Sequence, residues 1–148
     1  VPSARRSRVI PAAPEDLWRT VGDPHHLPRW WPRVERVESV DGTGFTELLR
    51  SDKGATVRAD FRLLERREPS LIRWSQDVEG TPFERVLRGA ETTIALAPAD
   101  GGTIVELRLV QRLTGVARLG GFMVRGATGK QLSDALAQLN RLHGGEEE

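Results

Sequence analysis

Cysteine is absent from this chain, and so is tyrosine. The first absence removes disulfides, thiolate chemistry and cysteine-ligated metals. It fits a reducing cytoplasm, which is the expected location. The second removes a common general acid and a common stacking group. No apolar run approaches the ~20 residues that a membrane-spanning helix needs. Residues 1–8 are basic but lack the apolar stretch of a signal peptide. A dominant charge is lacking too: 22 Lys and Arg face 21 Asp and Glu, for a net charge of +1. These charges are interspersed, which leaves no electrostatic footprint for nucleic acid or an anionic membrane.

What is present is a chain of 148 residues, enough for one domain with a proper core. The expectation is a single domain over residues 1–148, with 143–148 a frayed tail. The stretch from Gly115 to Gly144 is the one segment long and periodic enough for a long helix. Leu132, Ala135, Leu136, Leu139 and Leu142 make one apolar stripe at helical spacing. Phe122, Gly126 and Gly129 project onto roughly the same stripe. Glycine inside a helix costs ~1 kcal/mol against alanine, so these positions need a reason. Close backbone packing is one. Room is the other, because a helix without side chains on its inner face leaves a hollow beneath it.

The remainder reads mostly as strands. Arg5–Ile10 is a first strand. Pro14, Glu15 and Asp16 open a helix whose buried stripe is Leu17, Trp18 and Val21. A second short helix covers His26–Trp31. Val34–Val40 is an edge-like strand, and Asp41-Gly42-Thr43-Gly44 turns into Phe45–Arg50. Val57, Ala59, Phe61 and Leu63 alternate with Arg58, Asp60 and Arg62. Ile72, Trp74, Gln76 and Val78 share a face. The sixth strand, from about Arg85 to Ala97, carries Ala90, Thr92, Ile94 and Leu96 on one face. After the hairpin Asp100-Gly101-Gly102, the residues Val105, Leu107, Leu109 and Gln111 alternate with charges. Hairpin connections force antiparallel neighbours, and only the terminal helix remains to cover the apolar face of the sheet.

The opening Ile10-Pro11-Ala12-Ala13-Pro14-Glu15-Asp16-Leu17-Trp18 and the following Asp23 carry a resemblance. So do Leu27-Pro28-Arg29-Trp30-Trp31-Pro32, Val78-Glu79-Gly80-Thr81-Pro82-Phe83 and the hairpin Asp100-Gly101-Gly102-Thr103. Together these resemble the START-like (SRPBCC) superfamily, in its polyketide cyclase/dehydratase branch. The resemblance implies an α+β helix-grip (START/Bet v 1-like) fold. In that fold a curved antiparallel sheet of about seven strands wraps a long C-terminal helix, and two short N-terminal helices plug one end. It also implies carriers or sensors of apolar ligands, with a minority of members acting as cyclases or dehydratases. Characterised cyclases often place tyrosine and arginine in the cavity, and this chain has no tyrosine.

The candidate ligand-facing residues are Phe61, Trp74, Gln76, Phe83, Thr92, Leu109, Gln111, Phe122, Gly126 and Trp30. Phe61 and Trp74 are either plain core or one wall of a cavity. Gln76 and Gln111 interrupt apolar faces, and a buried polar group without a partner costs ~1–3 kcal/mol. Each therefore needs a partner, a cavity water or a ligand. Thr92 depends on register, because a slip of one residue exchanges it with Glu91. Trp30-Trp31, held between Pro28 and Pro32, plugs the sheet or gates a cavity mouth. Phe83 is a lid or an anchor. Arg85 or Arg88 could reach a carboxylate-bearing ligand. His25 and His26 lack a third ligand, so no metal is expected, and no cofactor is implied. His143, at the end of the long helix, is expected to favour a positive charge there.

Three functions follow as expectations. The first is binding of a hydrophobic or amphipathic small molecule (lipid, isoprenoid or polyketide-like) between sheet and helix. The second is cyclisation or dehydration of an aromatic polyketide, with no catalytic residue assigned. The third is a co-chaperone-like interaction surface. A monomer or homodimer is expected, with no nucleic-acid partner.

Overall fold

The computed structural model describes residues 3–51, 53–115 and 121–145, with the backbone alone for 121–127. Seven antiparallel strands make one sheet in the order β1-β7-β6-β5-β4-β3-β2. They are β1 (Ser3–Ile10), β2 (Val34–Glu38), β3 (Gly44–Arg50), β4 (Thr56–Arg67), β5 (Leu71–Asp77), β6 (Leu87–Ala99) and β7 (Gly102–Leu113). Among the described residues there are three α-helices, α1 (Pro14–Val21), α2 (Leu27–Trp30) and α3 (Gly121–Leu142), and two short 3-10 turns, Pro24–His26 and Pro82–Arg85. Among the described residues, no helix is long and apolar enough to cross a membrane.

Register decides which residues meet beneath α3. Ile72 stands opposite Ile94, and Ile94 opposite Leu107. All three are essentially inaccessible and share a core with Leu132, Ala135, Leu136 and Leu139 of α3. The expected apolar stripe of the long helix therefore covers this end of the sheet. On the outer face the alternating charges pair with each other: Arg62 with Asp77 at 2.9 Å, and Arg73 with both Glu65 and Glu91. Leu17, Trp18 and Val21 of α1 are buried as expected. The Trp18 indole donates to Glu68 at 3.0 Å and lies under the Arg66 guanidinium.

Two expectations about the terminal helix need correction. Gly129 is buried, but it makes no hollow. A Cβ there would run into the guanidinium of Arg6 on β1. Neither expected reason holds at this position: the space is taken by the end of an arginine side chain, not by a neighbouring backbone or a hollow. Gly126 and Phe122 lie outside the residues whose side chains are described. His143 is not part of a frayed end, since its Nε2 lies 3.0 Å from the Thr20 hydroxyl of α1. Burial, together with the nearby Arg29, holds the His143 pKa below its usual value even though Asp16 pulls it up. The ring is thus kept neutral, and desolvation outweighs the attraction of a helix C-terminus.

The hairpin between β6 and β7 turns at Gly101 and Gly102, both with positive φ. Gly102 has φ of 145°, and a Cβ on it would strike the carbonyl oxygen of Ile10. Gly102→Ala should therefore cost about 2–4 kcal/mol through backbone strain and the clash with β1. Urea denaturation of the purified variant checks this. An unchanged midpoint would show that the turn relaxes freely.

Candidate functional site: a cavity between sheet and terminal helix

Toward the β3 end, the inner face of the sheet is not filled by the described side chains. A cavity of about 640 Å³ lies there. Its floor is one row of cross-strand partners. Phe61 on β4 faces Gln76 on β5, Gln76 faces Ala90 on β6, and Ala90 faces Gln111 on β7. The next row brings Trp74, Thr92 and Leu109 together by the same pairing. Thr92 therefore points inward and Glu91 outward, where it meets Arg73. Phe83, on the short helical turn Pro82–Arg85, borders the cavity with Val86 and Leu87. Leu27 and Trp31 close the end formed by α2.

Aromatic packing stiffens one wall. Phe45 stacks on Phe61 with centroids 5.1 Å apart, and meets Trp74 edge-on at 5.0 Å. Such contacts hold the rings in place whether or not the cavity is filled. A second hollow of about 690 Å³ lies alongside. It shares Leu49, Phe83 and Gln131 with the first and is rimmed by Arg33, Arg50, Lys130 and Asp134.

Four polar side chains of the sheet face the apolar cavity. Gln111 accepts a hydrogen bond from the Thr128 hydroxyl of α3 at 3.1 Å, which accounts for its amide oxygen. Thr92 is buried in the wall. Gln76 has its amide nitrogen buried without a hydrogen-bond partner. The fourth is Glu47 of β3, which is 6% exposed. Burial pushes its carboxyl up to about 8, because desolvation disfavours the charged form and no neighbouring cation offsets it among the described residues.

Glu47 was not among the residues expected from the sequence. Its neighbour Leu48 draws the eye inward, yet Leu48 pairs with Arg36 and Arg58 on the opposite face. Period-two alternation from Phe45 through Glu47 to Leu49 was the available signal.

Of the expected residues, Phe61, Trp74, Gln76, Phe83, Thr92, Leu109 and Gln111 all line this cavity. Trp30 does not. It is 2% exposed and packs in the core, while Trp31, edge-on to it at 5.2 Å, takes the position at the cavity. Arg85 and Arg88 are exposed and do not line it. His25 and His26 also lie away from it. Both approach Asp23, whose carboxylate caps the turn at His25. Among the described residues, no group of three potential ligands could hold a metal ion.

A curved antiparallel sheet gripping a long C-terminal helix over an apolar cavity defines the helix-grip class of START-like proteins. The family model described as polyketide cyclase / dehydrase and lipid transport matches residues 2–144, and the chain belongs to that family. A search of curated proteins finds no match. Among solved structures, the chain is similar to a protein from Chromobacterium violaceum with 22% identity and a TM-score of 0.75, covering 97% of this chain and 98% of that one. It is also similar to a protein from Thermus thermophilus, with 24% identity and a TM-score of 0.73 over 95% of each chain. The di-domain ARO/CYC BexL of the BE-7585A biosynthetic pathway shares 14% identity at a TM-score of 0.78. That match covers 97% of this chain and 50% of BexL.

Proposed function

We propose that the protein binds a hydrophobic or amphipathic small molecule in the cavity between the sheet and α3. One observation carries the reading: a hollow of about 640 Å³ whose walls are mostly apolar, with a few polar groups set among them. Small-molecule sites typically span ~300–1,000 Å³ and have this composition. Burial of a ligand's apolar surface, at ~25 cal/mol per Å², supplies the affinity, and the polar groups orient it. Family membership and the fold shared with BexL support the same reading.

Trp31 and Trp74 stand at the cavity, so the protein reports on its own occupancy. Titration with sterols, isoprenoid alcohols and polyphenols should quench tryptophan emission saturably for at least one class. Native mass spectrometry of protein from its own host should show a co-purifying apolar compound. Linear, unsaturable fluorescence with every class, together with bare protein in the mass spectrum, would remove the proposal.

A second reading is cyclisation or dehydration of a polyketide intermediate, and Glu47 is the observation in its favour. A carboxyl with a pKa of about 8 in a mostly apolar cavity can hold or release a proton close to neutrality. Turnover of an aromatic polyketide intermediate that falls in Glu47→Gln, while binding persists, would favour this reading over simple carriage.

A further inference from the structure

We propose that Glu47 and Gln76 form a polar pole in the cavity that selects an uncharged, oxygen-bearing apolar ligand over a carboxylate or an amine of equal length. This selectivity rests on the cavity being a ligand site and adds the chemistry of what it accepts.

Two buried groups of the cavity lack partners. Glu47 is 6% exposed, lines the cavity, and its carboxyl has no hydrogen-bond or ion-pair partner among the described residues. Gln76 lines the same cavity, and its amide nitrogen is buried and unpaired. Leaving such groups unsatisfied costs ~1–3 kcal/mol each, and more for a charge. Elsewhere on this inner face the Gln111 amide oxygen accepts from the Thr128 hydroxyl, and Thr103 donates to the Ala12 carbonyl at 2.7 Å. Glu47 and Gln76 border one hollow, whereas the other unpaired buried nitrogen among the described residues, Trp30 Nε1, lies in the core and not in its lining.

The charge of the site follows from its lining. No Lys, Arg or His is among the described residues of this cavity. Nothing there offsets an ionised Glu47, and burial keeps its proton on at neutral pH. A neutral carboxyl presents an O–H donor and a carbonyl acceptor, and the Gln76 amide nitrogen presents N–H donors. Two donors facing apolar walls call for acceptor oxygens, as in a ketone, an ester or a hydroxyl. A ligand carboxylate held at Glu47 and Gln76 would meet no cation among the described residues of this cavity; Arg33, Arg50 and Lys130 line the second hollow instead. An ammonium could be held only by ionising the carboxyl that burial keeps neutral.

Register sets the spacing. Glu47 stands opposite Ala59, while Gln76 stands opposite Phe61 on the other side of β4. The two positions are thus two strand spacings apart, about 10 Å, and one two-residue step along the strands, about 7 Å. Both side chains border the same cavity as Phe61, and a separation of about 12 Å between their backbones suits two oxygens on one molecule.

The test uses the full chain and four twelve-carbon probes: 2-dodecanone, 1-dodecanol, dodecanoate and dodecylammonium. Binding is followed at pH 7 by tryptophan fluorescence. The ketone and the alcohol should bind about tenfold or more tightly than either ion, the factor that one well-placed hydrogen bond supplies. Glu47→Leu should weaken the ketone by a similar factor. Glu47→Gln, which replaces O–H with N–H, should retain its affinity. Gln76→Leu provides a second variant with the same expected loss, should Glu47→Leu fail to fold. Equal affinity for all four probes, or tightest binding of the carboxylate or the amine, overturns the inference and leaves the cavity reading standing. If no probe binds, the inference falls, while the cavity reading is decided by the sterol, isoprenoid and polyphenol titrations and the native mass spectrum.

Discussion

Glu47→Gln should stabilise the protein by roughly 4 kcal/mol at pH 8 and by almost nothing at pH 4, at 1.36 kcal/mol per unit of pKa difference. The reason is the mismatch between the two states of the chain. In the folded protein burial holds the carboxyl up to about 8, against an ordinary value of 4.5. Below pH 4.5 the group is protonated in both states and costs nothing. Between those values the unfolded chain releases a proton that the folded chain retains, so stability drains away as pH rises. Beyond pH 8 both states are ionised and the loss levels off. Glutamine has no such proton to lose. Chemical denaturation of both proteins at half-unit steps from pH 4 to pH 9 measures the gap directly, and other titrating groups cancel in the comparison. A gap that does not change with pH would mean that the carboxylate finds solvation or a partner inside the fold.

Ala90→Trp should abolish ligand binding while the protein stays folded. Ala90 lies in the middle of the cavity floor, between Gln76 and Gln111, and is 6% exposed. An indole at that point rises from the sheet into the space that a ligand would take. Overpacking a filled core costs ~1–3 kcal/mol, but here the new ring has a hollow to enter. We expect affinity for 2-dodecanone to fall by about 100-fold or more, a change of roughly 3 kcal/mol, with only a small shift in thermal midpoint. Isothermal titration calorimetry is the suitable measurement, since the added tryptophan disturbs fluorescence. Unaltered affinity would place the ligand elsewhere, the hollow rimmed by Arg50 and Lys130 being the next place to look.

Most of the cavity was legible in the sequence because β-strand alternation is a strong signal where one face is apolar. Val57 to Leu63 and Ile72 to Val78 declare their inward faces directly. Those faces set Phe61, Trp74 and Gln76 in adjacent rows. Thr92 and Glu91 could not be separated in isolation. Pairing of Thr92 with Trp74 and Leu109 fixes the choice, and that is long-range information.

Glu47 was missed for a different reason. Four consecutive residues of β3, Phe45 to Leu48, are buried, so the usual contrast between faces is erased, and hydrophobicity favours the wrong neighbour. Trp30 was named for the cavity where Trp31 lines it, because α2 is a single turn, too short for periodicity to assign a face. Gly129 of α3 misled because a missing side chain reads the same whether it admits a ligand or, as here, a neighbouring arginine.

The inner face of the sheet is divided between two tasks. The row Ile72, Ile94 and Leu107 is sealed under the leucines of α3, whereas the row Phe61, Gln76, Ala90 and Gln111 borders space that the described side chains leave open. On the function proposed above, robustness and selectivity reside in separate tiers of one scaffold. Residues of the open tier could then be exchanged without loosening the sealed one, and descendants of this chain could change cargo while keeping their shape.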